Sequence, residues 1–291
     1  MRIALAQTDP RLADVEANLA GIEETVAAAL AAGADLAVFP ELALTGYRLR
    51  DLVPQVAVRL DRAGPVRDRL AALSERLPFV VGLVEESADH RFYNAAAWFE
   101  DGRLVHVHRK VYLPTYGMFD EAMDFARGRR LAAFDTRFGR AGILVCEDLW
   151  HPTATTILAL DGAIMVYGIA ASPLRGQGVG SADPSHLSGR QLAEVLARFH
   201  TVPVVYVNRS GYEEGLAFGG GSFAIGAMGE TLAEAPLLEP ALVIATIDPD
   251  RTRAARAAYP LVRDERPGLL ARELRRIARG EGLETDEEDG R

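Results

Sequence analysis

Residues 94–109, NAAAWFEDGRLVHVHR, read as two short strands joined by a two-residue turn. Asn94–Glu100 and Leu104–Arg109 are the strand segments, and Asp101-Gly102 between them is a strong tight-hairpin signal. A hairpin forces its two strands to run antiparallel. On either side the chain alternates strand and helix instead. Upstream, Ile3–Gln7 reads as a strand and Val15–Ala32 as a helix, apolar at helical spacing and closed by Gly33. Ala34–Phe39 reads as a buried strand stopped by Pro40, Pro65–Arg76 as a helix and Phe79–Glu85 as a strand. Downstream come the strand Ala141–Cys146, the helix Thr153–Leu160, the strand Ala163–Gly168, the helix Gln191–His200 and the strand Val204–Asn208. Ser222–Gly226 and Ala241–Ile247 read as further strands, the first paired with residues near Ala217. Two Arg-rich helices follow, Asp250–Ala258 and Leu269–Gly280, with Asp248 and Pro249 as N-cap and first position of the former. Alternation of this kind predicts layered α/β structure, and the hairpin within it predicts mixed rather than purely parallel sheets.

No repeat and no linker divides the chain, so residues 1–280 are expected to form one domain. The acidic segment 281–291 is expected to be disordered. With 291 residues, 49% of them hydrophobic, a substantial core is expected. The net charge of -9 argues against nucleic acid and anionic membrane surfaces as partners. The apolar stretch Thr156–Ala171 is broken by Asp161, short of the roughly 18 residues a membrane span needs. The start, MRIALAQTDP, turns polar too early for a signal peptide, and one cysteine forms no internal disulfide. A cytoplasmic location is the expectation.

Of 32 basic side chains, 31 are Arg, and the single Lys is Lys110. A lone lysine in such a chain points to a place where a planar guanidinium will not serve and a compact ammonium will. Three segments then share one design. ADLAVFPE ends at Glu41, RLVHVHRK ends at Lys110, and AGILVCEDLWHP places Cys146 at a strand end. Strand ends are where side chains converge in layered α/β folds. A thiol with pKa about 8.5 needs a base, a carboxylate can accept its proton, and an ammonium can face the oxyanion formed when the thiolate attacks an amide. Each residue alone has a plainer role, Cys146 as a small buried hydrophobe and Glu41 as a solvated turn residue. No G-x-S-x-G elbow supports a Ser–His–Asp arrangement. His106 and His108 share a strand face but have no second ligand pair at metal spacing, so no metal and no cofactor is expected. Gly219-Gly220-Gly221 is followed by no lysine and reads as a tight turn, not a phosphate loop.

FPELALTGY (39–47), HRKVYLPTYGMFDE (108–121) and LVCEDLWHP (144–152) resemble the three signature segments of the nitrilase superfamily of carbon–nitrogen hydrolases. Within it they are most similar to the glutaminase domain of glutamine-dependent NAD synthetase. The similarity continues through ASPLRG (171–176), VPVVYVNRSG (202–211) and FGGGSF (218–223). The resemblance implies an α-β-β-α sandwich, a homo-oligomer, and Glu41 as base, Lys110 as electrostatic stabiliser and Cys146 as nucleophile. It places a second glutamate, Glu121, beside Lys110, and it assigns substrate contacts to Tyr116, Glu147 and Ser172. Two departures stand out. Ala170 and Ala171 occupy positions where relatives often carry Asn and a small residue. No Gly-rich phosphate loop of a synthetase domain is found, so a complete NAD synthetase is not expected. Arg175 could hold a substrate carboxylate or lie on the surface.

The resulting expectation is hydrolysis of a small carboxamide, L-glutamine among the candidates, through a Cys146 thioester. The alternatives are an ω-amide, an N-carbamoyl compound or a nitrile as substrate, or an ammonia-donating subunit of a separate synthetase partner. A non-catalytic binding protein would lack one of the three residues, and all three are present.

Overall fold

The computed structural model describes residues 1–174 and 184–280, so Arg175 and the acidic segment 281–291 lie outside the described residues. In chain order the strands are β1 (Arg2–Gln7), β2 (Leu36–Val38), β3 (Phe79–Glu86), β4 (Phe92–Glu100), β5 (Arg103–Arg109), β6 (Phe134–Thr136) and β7 (Gly139–Val145). They continue with β8 (Met165–Ala170), β9 (Val204–Asn208), β10 (Ser210–Glu213), β11 (Leu216–Gly219), β12 (Phe223–Ile225), β13 (Thr231–Glu234) and β14 (Ala241–Thr246). The described residues build two six-stranded sheets, ordered β14-β1-β2-β3-β4-β5 and β13-β12-β9-β8-β7-β6. Both are mixed. In the first, β1, β2 and β3 run parallel while β3, β4 and β5 are antiparallel neighbours. In the second, β7, β8 and β9 run parallel, and β6, β12 and β13 join antiparallel.

Side chains alternate across each strand, and this decides the layers. In β1, Ile3 and Leu5 face the second sheet and pack in one cluster with Ile143, Val145 and Val205. Ala4 and Ala6 face the other way, against Leu19, Ile22 and Val26 of helix α1 (Val15–Ala31). Helix α2 (Pro65–Ser74) adds Leu70 and Leu73 to that outer cluster. On the far side, α3 (Pro152–Leu160) and α4 (Pro184–His200) cover Leu144, Val166 and Val204. The result is helix, sheet, sheet, helix. Each large apolar side chain buried this way contributes about 2 kcal/mol. Among the described residues no helix is long and apolar enough to cross a membrane.

The hairpin forms as its sequence predicts. Glu100 pairs with Arg103 around Asp101 and Gly102, whose φ angles are 52° and 73°. A register shift between Trp98 and Phe99 then moves the pairing by one residue. One expectation fails. The strand at Ser222–Gly226, here β12, pairs with β9 and β13, whereas the residues around Ala217 form β11 and pair with β10. The glycine turn 219–221 separates the two, carrying the chain from the small β10–β11 hairpin back into the second sheet.

The fold brings several strand ends to one place. Glu41 follows β2, Lys110 follows β5 and Cys146 follows β7. Gly82 of β3 shows how tight this region is, since a Cβ there would lie 2.7 Å from the Glu41 Cα and also meet the Pro40 carbonyl. Backbone does not yield as a flexible side chain does. Gly82→Ala is therefore expected to destabilise the protein by ~2 kcal/mol or more in a denaturant titration. Gly21→Ala, in open space on α1, should instead stabilise by about 0.5 kcal/mol. Equal effects of the two would contradict this packing.

Candidate active site

Pro40 ends the strand before Glu41, and Leu42 at φ 51° turns the chain, so the Glu41 side chain points inward. It is fully buried. Its Oε1 accepts from Asn94 Nδ2 at 2.7 Å and from Lys110 Nζ at 2.7 Å, and its Oε2 accepts from the Ala171 backbone N–H at 2.6 Å. Ala171 directly follows β8, so this last bond ties the first sheet to the second. Lys110 is also fully buried and donates to Glu121 Oε1 at 2.8 Å. Glu121 in turn accepts from the Tyr47 hydroxyl at 2.7 Å. One compact ammonium thus bridges two carboxylates, a role a planar guanidinium fills poorly.

The electrostatics follow from burial. Desolvation alone would push the Lys110 ammonium down, but the Glu121 and Glu41 carboxylates overcome it and hold it well above its ordinary value. Glu121 shows the opposite balance. Burial pushes its carboxyl up to about 7 in spite of Lys110, with Glu41 adding repulsion.

Cys146 sits where β7 gives way to a short turn, with φ 47°, a left-handed conformation that side chains other than glycine adopt at a cost. Burial pushes its thiol well up, Glu41 adds to this, and Lys110 opposes it. The resting sulfur is a thiol, within the electrostatic reach of Glu41, Lys110 and Glu121. Next in the chain, Glu147 accepts from the Tyr116 hydroxyl at 2.9 and 3.2 Å. Ser172 follows Ala171. Its N–H donates to Asn208 Oδ1 at 2.8 Å. Burial pushes the Tyr206 hydroxyl well above its ordinary value.

The structure therefore gathers Glu41, Lys110 and Glu121 into one bonded cluster beside Cys146, and pairs Tyr116 with Glu147. It also supplies Asn94, Tyr47, Tyr206, Asn208 and the Ala171 N–H, none of which stands out in the sequence for this role. Hairpin register was the signal nearest to hand. Counted from the Asp101-Gly102 turn it sets Asn94 opposite Arg109. The shift at Trp98/Phe99 sets Ala95 opposite Arg109 instead, and the Lys110 N–H donates to the Asn94 carbonyl at 2.9 Å. His106 and His108 both have partners. His106 stacks on Phe134 with centroids 4.1 Å apart, and burial, then His108, lowers its pKa to about 4. His108 Nε2 meets Asp148 Oδ2 at 2.8 Å. Among the described residues no group of three or more His, Cys, Asp or Glu side chains could hold a metal.

A sequence profile described as carbon–nitrogen hydrolase matches residues 2–257. The chain is 32% identical over 252 residues to the glutamine-dependent NAD(+) synthetase of Thermotoga maritima, covering 86% of this chain and 42% of that protein. It is 30% identical over 274 residues to the N-carbamoylputrescine amidase of Arabidopsis thaliana, covering 88% of this chain and 89% of that protein. Among solved structures it is similar to a mutant of the amidase from Nesterenkonia sp. AN1 that shows the result of Michael addition of acrylamide at the active site cysteine. The TM-score is 0.73 at 27% identity, covering 89% of this chain and 97% of that one. The chain thus spans less than half the length of the synthetase and most of the length of both amidases.

The raised Glu121 carboxyl has a consequence for stability. Between the ordinary carboxylate range and about 7, the folded chain holds a proton that the unfolded chain has released. Stability from this group is complete at low pH and is lost as pH rises through that window. Melting temperatures measured from pH 5 to 8 should fall more steeply in the natural protein than in Glu121→Gln. Parallel curves would show that Glu121 titrates normally.

Proposed function

The chain belongs to the carbon–nitrogen hydrolase family, and from that premise we propose that it hydrolyses a small primary carboxamide, the side-chain amide of L-glutamine first among candidates, through a Cys146 thioester. The observation that carries this reading is the buried Glu41–Lys110–Glu121 cluster beside the only thiol in the chain.

Glu41 accepts the Cys146 proton as sulfur attacks the amide carbonyl carbon. This coupling matters because the thiol at rest is protonated. The carbonyl π electrons move to oxygen, and the oxyanion faces the Lys110 ammonium and the Glu147 backbone N–H. Collapse breaks the C–N bond, the leaving nitrogen takes the proton from Glu41, and ammonia departs. A water molecule then gives a proton to Glu41 and attacks the thioester, releasing the acid and restoring the thiol. Glu121, locked by Tyr47, orients Lys110 and keeps it charged. Glu147 and Tyr116 place an acceptor near the sulfur that suits an ammonium group on the substrate, and Ser172 lines the opposite strand end.

A second reading rests on the amidase of Arabidopsis thaliana, which this chain covers over most of its length. An N-carbamoyl diamine also pairs a carbonyl–nitrogen bond with a cationic group, its free amine. A third places the chain as the ammonia source for a separate synthetase, which the partial match to NAD(+) synthetases favours. Residues 1–280 serve as one catalytic unit in each case, working as a homo-oligomer in the reducing cytoplasm.

Ammonia release separates the first two readings. Purified protein with L-glutamine should release ammonia, and Cys146→Ala and Lys110→Gln should fall to the uncatalysed background. N-carbamoylputrescine in parallel separates the second reading. Activity surviving in Cys146→Ala would sink the thioester route.

A further inference from the structure

β5 and β7 belong to different sheets and share no hydrogen-bonded ladder. No strand register therefore sets Lys110 relative to Cys146, although the proposed chemistry depends on that distance. A buried side chain spans the gap. Asp148 is fully buried, two residues past Cys146. Its Oδ1 accepts from the N–H groups of Val111 at 3.0 Å and Tyr112 at 2.9 Å, the two residues after Lys110. Its Oδ2 accepts from the N–H of Val145 at 3.0 Å, the residue before Cys146, and meets His108 Nε2 at 2.8 Å. His108 lies two positions before Lys110, on the same strand face.

We propose that Asp148 is a positioning residue: its carboxylate holds the chain on both sides of Lys110 and the chain entering Cys146 in one fixed relation, with His108 completing the clamp. This builds on the catalytic roles proposed above for Lys110 and Cys146. A carboxylate accepts only, with about four lone-pair sites, and here four donors fill them. The geometry also separates Asp148 from its neighbour. In the short turn after β7, Glu147 points toward Tyr116 and Asp148 points into the protein. Burial would push the Asp148 carboxyl up, but His108 and the backbone donors outweigh it and keep it below the ordinary range, so it stays an acceptor. An amide at this position turns one acceptor atom into a donor and faces N–H with N–H, leaving at least one backbone donor unmet.

The test reads Cys146 without relying on a substrate. The rate of Cys146 alkylation by iodoacetamide, measured well below the melting temperature, should fall about tenfold or more in Asp148→Asn. Where ammonia release is measurable, kcat should fall ~10²-fold with little change in KM, the signature of misplacement rather than lost binding. His108→Ala should slow alkylation in the same direction. His108→Gln, which offers an N–H at similar reach, should restore most of it. A merely structural role would lower the melting temperature of these variants and leave their alkylation rates within twofold of the natural protein, and that result overturns the proposal. If Asp148→Asn does not fold, the His108 pair decides alone: slowing in Ala with rescue in Gln supports the clamp, and unchanged rates in both refute it. Slowed alkylation in a protein that releases no ammonia from any amide would keep the clamp and discard the amidase reading.

Discussion

Lys110 carries its charge where the two sheets meet, wholly shielded from water. A buried ammonium is tolerated only when carboxylates and hydrogen bonds replace its hydration. That requirement organises what surrounds it. Two carboxylates must be buried with it, and each needs donors of its own. Glu41 takes them from Asn94 and from the Ala171 backbone, and Glu121 from Tyr47. Removing any one of these donors leaves its carboxylate less well satisfied in a low-dielectric interior, although each still pairs with Lys110.

The same cluster explains the state of the thiol. Cys146 is pushed toward its neutral form by burial and by Glu41, with Lys110 pulling the other way. A sulfur held as thiol reacts more slowly with an incoming electrophile than a thiolate would. In the proposed route it gains nucleophilicity as Glu41 takes its proton. The positive φ angles at Leu42 and Cys146 belong to this economy too. Each costs about 1–2 kcal/mol and persists because the strands behind it are packed between two layers of apolar side chains.

Much of this was legible from the chain. The Asp101-Gly102 turn, the stop at Pro40 and the apolar periodicity of Val15–Ala32 are local signals, and the structure forms the turn, a strand that ends before Pro40 and a helix over Val15–Ala31. Lys110 stood out because the other basic residues are all arginine. Less visible were the partners. Asn94 faces Lys110 through a one-residue register shift between Trp98 and Phe99, which the turn chemistry does not set. The pairing of the Ser222 strand was misread because nearness in sequence suggested the strand at Ala217, while the second sheet offered β9 and β13. His106 and His108 share a strand face, and the sequence does not say what each one meets. One stacks on Phe134 and the other meets Asp148, contacts that arise only once the two sheets face each other.

The sequence by itself determined the alternation of strand and helix, the mixed character of the sheets, and the three residue types a thioester route requires. These are short-range properties, written in period, turn chemistry and side-chain identity. Tertiary structure alone decided which polar groups complete the cluster, how strongly burial shifts Glu121 and Cys146, and how the two sheets are tied together at Glu41 and Ala171. Those depend on distances between segments 50 to 130 residues apart in the chain. Desolvation and Coulomb energy act through such distances in space, and no local pattern records them.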